Sequence, residues 1–227
     1  MNKTLLTDIV QWDVRNWSQA IDFWDRSVDW SQVHDCLELG GRDGGLSLWL
    51  GLKGKHVVCS DIEDTRTHAR GHHEKYGLTT NVDYAVVDAT SIPFENQFDV
   101  VTFKSVLVAI GGGERKDRQQ LAIDEIYKSL RPGGKLLFAE NMVGSPLHRF
   151  VRKRFIHWGS WCRYVTPAEM REFLHRFKRV EMRTTGVLGT FGRTERQRSA
   201  LSAVDHALLN HVTPAAWQYL VYGVAEK

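Results

Sequence analysis

Three carboxylates in the first half of the chain stand where short apolar runs stop. Glu38 lies inside Cys36-Leu37-Glu38-Leu39, Asp61 follows His56-Val57-Val58-Cys59-Ser60, and Asp88 follows Val82 to Val87. The first run leads straight into Gly40-Gly41-Arg42-Asp43-Gly44-Gly45. A glycine-rich turn between a strand and a helix brings backbone close to a ligand and presents the free N–H groups of the helix. The carboxylates say what kind of ligand. An acid at 38 would repel a pyrophosphate but suits an ammonium. An acid at 61 can accept both hydroxyls of a ribose, and Asp88, beside Ala89, can accept from an exocyclic amine such as that of adenine. One molecule with an amino-acid end, a ribose and an adenine would satisfy all three.

Such groups converge only if the right elements carry them. Trp17, Ala20, Ile21, Trp24 and Val28 recur at helical spacing, which predicts a helix over about Asn16 to Val28 with Asn16 as its N-cap. Strands are expected at Cys36–Leu39, His56–Cys59, Val82–Val87, Phe98–Phe103 and Lys135–Ala139. Between them lie a helix ended by Gly54, a polar helix from about Asp64 to Tyr76, and a helix from about Glu114 to Leu130 with Leu121, Ile126, Tyr127 and Leu130 turned inward. Arg131-Pro132-Gly133-Gly134 reads as a tight turn before the fifth strand. Thr166 with Glu169 three residues on reads as a capping box. A strand near Val180–Thr185, a helix over about Glu195–Asn210 and a strand over Trp217–Val224 complete the chain. Strand–helix alternation of this kind predicts a doubly wound α/β fold with a seven-stranded, mostly parallel sheet whose last two strands are antiparallel. We expect one domain over 1–227, with an N-terminal helical segment (1–34), a cofactor-binding core (35–141) and a basic, aromatic insertion on the substrate side (142–177).

The ligand that combines the three features is S-adenosylmethionine. At these residues the sequence resembles the class I methyltransferases of the small-molecule type 11 group. Glu38-Leu39-Gly40-Gly41-Arg42-Asp43-Gly44 resembles the family's ExGxGxG motif, Asp61 its ribose acid, and Asp88-Ala89 its adenine-side pair. Phe98-Asp99-Val100-Val101 and Leu130 to Lys135 resemble the fourth strand and the turn before the fifth. The resemblance covers about Asp35 to Asn141 and extends more loosely to Lys227. It implies a Rossmann-like methyltransferase fold that uses S-adenosylmethionine and releases S-adenosylhomocysteine. The cofactor residues expected are Glu38, Gly40, Gly41, Arg42, Gly44, Asp61, Ile62, Asp88, Ala89 and Lys104. Arg42 departs from the pattern, since the family carries glycine there, and it bears on the conformation of the loop.

In open α/β sheets substrates lie beyond the C-terminal ends of the strands, here near Lys104-Ser105 and Glu140-Asn141. The segment Leu147 to Tyr164 is the most distinctive one nearby. No acidic residue occurs between Glu140 and Glu169, while Arg149, Arg152, Lys153, Arg154 and Arg163 alternate with Trp158, Trp161 and Tyr164. Arginine forks suit phosphate or carboxylate, and the aromatic rings suit stacking. Three readings are open: a lid over an anionic substrate, with Arg149, Arg152, Arg154, Trp158, Trp161 and Tyr164 as ligands; a membrane-surface contact; or a solvated helix face with its aromatics packed inward. Methyl transfer to oxygen needs a proton acceptor, for which His148, His157 and Glu140 are the candidates.

The 227 residues suffice for one sizeable core, and 42% hydrophobic with 25% charged residues is ordinary for a globular chain. Eight Trp is a high count, enough for some to line a ligand site. A net charge of +3 gives no case for nucleic acid. Cys36, Cys59 and Cys162 have neither disulfide nor metal spacing, so a metal-free mechanism in a reducing compartment is expected. With neither a leader-like start nor a membrane-length apolar run, the sequence reads as cytoplasmic. The function expected is S-adenosylmethionine-dependent methylation, most simply at oxygen, of a small polar anionic acceptor: a sugar or a secondary-metabolite intermediate of the kind found in polysaccharide pathways. The alternatives are a non-catalytic cofactor-binding sensor or scaffold, and a dinucleotide-dependent oxidoreductase. The oxidoreductase reading is weakened because GxGxxG fails at Arg42. Oligomeric state is left open.

Overall fold

The structure is a computed structural model and describes residues 2–78, 80–156 and 161–227. In chain order the elements are α1 (Lys3–Val10), α2 (Val14–Ser27), β1 (Asp35–Leu39), α3 (Gly45–Leu52), β2 (His56–Asp61), α4 (Arg66–Lys75), β3 (Val82–Val86) and β4 (Phe98–Lys104). There follow α5 (Leu107–Ile110), α6 (Lys116–Ser129), β5 (Leu130–Asn141), α7 (Pro146–Phe155), α8 (Pro167–Phe173), β6 (Arg179–Thr185), α9 (Glu195–Val204) and β7 (Leu220–Glu226). The sheet order is β3-β2-β1-β4-β5-β7-β6. The first five strands run parallel, and β7 lies antiparallel to both β5 and β6. This is the doubly wound architecture that the strand–helix alternation predicts. The order reverses at β1, beside β4, and that is where open sheets form a ligand crevice.

The parallel strands are buried on both faces, which is why they read as near-continuous apolar runs. On one face α1, α2 and α3 pack over Cys36, Val57, Val100 and Leu137. On the other, α6 and α8 cover Leu37, Val101, Phe103 and Phe138. Trp24 is fully buried between α2 and the sheet, and its indole N–H donates to the Gly223 carbonyl at 2.9 Å, so its one polar atom is paired.

Several sequence expectations need correction. Helix α1 has too few turns to show a convincing period and was not anticipated. Asn16 does not cap α2. It is a fully buried residue within the helix, and Asp13, in a left-handed conformation, holds the cap position. Asn16 instead donates to the Ser202 hydroxyl (2.8 Å) and the Tyr219 hydroxyl (2.6 Å), and its Oδ1 accepts from His206 Nε2 at 2.9 Å. The network ties α2 to α9 and to the approach to β7. Leu121 is 45% exposed rather than inward, because Ala122, Ile123 and Ile126 form the buried stripe of α6. Arg131 to Gly134 form no separate turn: β5 pairs with β4 from Leu130 onward, and a register irregularity between Phe98 and Val100 absorbs the extra residues. The capping box at Thr166 is present, with its hydroxyl and the Glu169 carboxylate bonded reciprocally.

Candidate functional site

The turn after β1 is held by its own backbone. Gly40 and Gly44 have φ of 66° and 71°, a region that costs a side chain of the L series. Gly41 N–H donates to Ser60 O at 2.8 Å, and Gly44 N–H to Gly41 O at 2.6 Å. Arg42 stands between them at φ 46°, itself left-handed. Its N–H donates to Asp61 Oδ2 at 3.1 Å, which fixes the turn to the end of β2. The departure from the family pattern is thus accommodated with local strain, of about 1–2 kcal/mol for a non-glycine residue.

Glu38 is 3% exposed. Its carboxylate accepts from Leu46 N–H at 3.1 Å and Ser47 N–H at 2.8 Å, and also from the Ser47 hydroxyl. It therefore closes the N-terminus of α3, where a negative charge is favoured. Burial outweighs these bonds and pushes the carboxyl up to about 7. Asp61 also accepts from Ile62 N–H at 2.7 Å, and Ile62 projects beyond it 66% exposed. Asp88 uses Oδ1 to accept from the backbone and hydroxyl of Thr90, both at 2.8 Å, while Oδ2 stands 3.7 Å from Arg118. Each of these two acids is oriented by the backbone at a strand end and keeps lone pairs for a ligand.

A cavity of about 610 Å³ lies over these strand ends. Glu38, Gly40, Gly41, Arg42, Asp61, Ile62, Asp88, Ala89 and Lys104 all line it; Gly44 sits just behind, at the cap of α3. Lys104 ends β4 with its ammonium 4.7 Å from the Trp17 ring centre. Among the described residues no carboxylate lies within 4.0 Å of it. Burial lowers its pKa to about 8, partly offset by the fields of Glu38 and Glu140.

The sequence reading missed the cover. Ile9, Gln11 and Trp12, at the junction of α1 and α2, line the cavity from above. Their approach explains Gly45: a Cβ there would meet the Ile9 carbonyl oxygen at 2.1 Å. Lys75 and Tyr76 hold the same segment through Asp8, at 2.7 and 2.5 Å. Arg115 and Arg118, near the start of α6, were missed as well. Only the excess of tryptophan hinted at any of these.

The residues expected to act as base are placed elsewhere. Glu140 is fully buried and accepts from Leu107 N–H (2.6 Å) and Asn141 N–H (2.7 Å), so it caps α5 instead of facing the cavity. Burial pushes its carboxyl up to about 7. His148 is 1% exposed in the first turn of α7, with Nδ1 bonded to Ser145 and its ring stacked on Phe191 and near Tyr219. Burial, with the nearby Arg152, lowers its pKa to about 4. It is a structural histidine that does not line the cavity. His157 lies outside the described residues, as does Trp158.

The expected substrate ligands also separate. Arg152 points inward, donates to the Met142 and Val143 carbonyls at 2.7 and 2.8 Å, and lies 3.9 Å from the Tyr164 ring centre. Arg149 and Arg154 are exposed on α7 away from the cavity lining, and Tyr164 is half-buried beneath Arg152. Trp161 alone of the described set lines the cavity, its ring over Gly112 where a Cβ would fall 2.2 Å from it. Among the described residues no cluster of three or more metal-ligating side chains occurs.

A doubly wound sheet thus brings acids from three successive strand ends to one cavity. Residues 37–138 match the family described as a methyltransferase domain. Among curated proteins, the ubiquinone/menaquinone biosynthesis C-methyltransferase UbiE of Pseudoalteromonas translucida is 31% identical over 128 residues, 54% of this chain and 47% of that protein. Its namesake in Shewanella oneidensis is 35% identical over 127 residues, 52% and 45% of the two chains. This chain thus spans about half the length of the curated relatives it matches. Among solved structures, phosphoethanolamine N-methyltransferase 2 of Haemonchus contortus in complex with S-adenosyl-L-methionine superposes with a TM-score of 0.64 at 20% identity, over 93% of this chain and 52% of that one. The N-methyltransferase NodS of Bradyrhizobium japonicum gives 0.61 at 15% identity, over 93% and 95%. At such identities the structures speak for the fold.

Proposed function

We propose that the chain binds S-adenosylmethionine in this cavity and transfers its methyl group to a small anionic acceptor, leaving S-adenosylhomocysteine. The observation that carries the reading is the convergence of Glu38, Asp61 and Asp88 on one cavity whose volume suits a small-molecule site. Asp61 would hold the ribose, Asp88 the adenine amine, and exposed Ile62 the adenine face. Glu38 and the Gly40–Gly41–Arg42 turn would face the methionine end. When bound, the cofactor supplies an electrophilic sulfonium methyl. The residues of the chain then orient the acceptor in line with it and exclude water. Lys104, a cation whose neighbour is an indole and not an acid, would draw an anionic oxygen of the acceptor toward the strand ends. Arg115, Arg118 and Trp161 would meet its remainder.

Oxygen methylation of a phosphorylated or carboxylated sugar, or of a related polar metabolite, is the first reading. The curated relatives named as C-methyltransferases favour a second, in which an acidic hydroxyl ionises beside Lys104 and passes its electron density to a neighbouring carbon. We take the chain to work as one unit, with 1–34 as the cover, 35–141 as the cofactor core and 142–177 on the acceptor side, and to act in the cytoplasm.

Isothermal titration with S-adenosylmethionine, S-adenosylhomocysteine and the nicotinamide dinucleotides tests the cofactor. Micromolar binding of the first two with none of the dinucleotides is expected; the reverse selectivity would end the methyltransferase reading. Labelled methyl transfer to pooled anionic metabolites comes next, and the labelled atom distinguishes oxygen from carbon. Tight cofactor binding with no turnover on any pool would favour a sensor.

A further inference from the structure

Helix α7 has its chemistry inside out. In a helix lying on a core the apolar side chains face inward and the charges outward. Here His148 and Arg152 turn inward, where Ser145 bonds Nδ1 of the histidine and the Met142 and Val143 carbonyls and the Tyr164 ring hold the arginine. Leu147 and Phe150 face outward at 55% and 63% exposure, and Phe155, the last residue of the helix, is 65% exposed. Beside them on the same outer surface are the exposed cations Arg149, Lys153 and Arg154. Large aromatic side chains and cations share one exposed face, within a stretch that holds no acid from Glu140 to Glu169.

We propose that this face of α7 docks on an anionic lipid bilayer. The occupant follows from charge and shape together. Rings such as Phe150 gain by entering the acyl boundary, and the cations beside them gain from anionic headgroups, each adding to the other. A protein partner would need its own acidic rim around an apolar centre; a bilayer supplies both in any orientation about the membrane normal. Among the described residues no helix is long and apolar enough to cross a membrane, so the contact is peripheral. Through the packing of Arg152 on Tyr164, α7 is fixed to the stretch that carries Trp161. Docking would therefore set the Trp161 side of the cavity near the lipid, where an acceptor with an apolar tail and an anionic head would be presented. The docking itself rests on α7 alone and not on methyl transfer.

The test is co-sedimentation of the full chain with vesicles of phosphatidylcholine alone and with phosphatidylglycerol added, at low and high salt. Partitioning onto the anionic vesicles about tenfold or more above the neutral ones, weakened by salt, is expected for three interfacial cations. Replacing Leu147→Ser with Phe150→Ser should reduce it about tenfold, as should the triple change Arg149→Gln, Lys153→Gln and Arg154→Gln. Circular dichroism and thermal melting confirm that each variant folds; where one does not, the lipid and salt dependence of the unmodified chain decides. Equal binding to both vesicle types, or to neither, overturns the proposal. So does a concentration-dependent dimer, abolished by the Ser variant, that appears in place of vesicle binding. Cofactor titration on the same preparations reports on the methyltransferase reading separately, so the two can fail independently.

Discussion

The two ends of the cavity are built on different terms. At the cofactor end, carboxylates lie at or beside the ends of β1, β2 and β3, and backbone N–H groups aim all three: Leu46 and Ser47 for Glu38, Arg42 and Ile62 for Asp61, Thr90 for Asp88. The strand registers place those ends, and the side chains have little freedom left. Beyond the other end, where Trp161 lines the cavity, the orientation of α7 is decided by a few long side chains with local partners. Arg152 belongs to the protein's own carbonyls, and His148 to Ser145 and Phe191. A residue type therefore implies a role only where the backbone dictates its direction. Where direction is settled by competition among long side chains, an arginine can as well be a brace as a ligand.

The sharpest way to break this contrast is Arg152→Ala. If the guanidinium is a brace, its loss strands two carbonyls and bares the face of Tyr164. That should cost about 3 kcal/mol of stability, summing roughly 1–1.5 kcal/mol per lost charged hydrogen bond with the cation–π contact. The denaturant midpoint should fall while cofactor affinity stays unchanged. A normal midpoint together with a raised acceptor KM would instead make Arg152 a ligand and erase the distinction between the two ends. A smaller effect is expected from Asp61→Ala. Losing the hydrogen bonds that a charged carboxylate accepts from two ribose hydroxyls should weaken cofactor binding by about 2 kcal/mol, roughly 30-fold in Kd by titration. Unchanged affinity would remove Asp61 from the site.

The same contrast explains what could be read from the sequence. The positions and parallel direction of β1 to β5 followed from apolar runs broken by glycine and acid, and all but Gly44 of the residues expected to hold the cofactor line the cavity because a strand end leaves few other places for them. The tertiary cover was illegible. Helix α1 is short, and Ile9, Gln11 and Trp12 reach the cavity only because Gly45 lets the chain approach. Glu140 looked like a base because it ends β5 beside the expected methyl. The N–H groups at the start of α5, which no local pattern announces, turned it into a cap. The basic segment misled for a related reason: periodicity shows which residues share a face of α7, but not which face meets the core. The ring of Phe150 faces outward while His148 and Arg152 take the inner side of the helix.

Proton linkage sharpens the comparison further, with the smallest effect. The folded chain holds the Glu38 carboxyl at about 7 against an ordinary 4.5. Between those values the folded state binds more protons than the unfolded one, so this group contributes stability at low pH that is lost as pH rises through the window. His148 has the opposite sign. Its folded pKa of about 4 lies below an ordinary 6.5, so between them the unfolded state binds more protons, and its contribution is present above about 6.5 and lost as pH falls toward 4. The windows overlap and largely mask each other in the unmodified protein, which is why the variants matter. Urea midpoints across pH 4.5 to 7 should show Glu38→Gln improving relative to the parent as pH rises, and His148→Asn worsening relative to it over the same interval. Two differences of the same sign would mean that the carboxylate at the cofactor end and the imidazole at the acceptor end are not both buried as described, and that one of the two ends opens to water in solution.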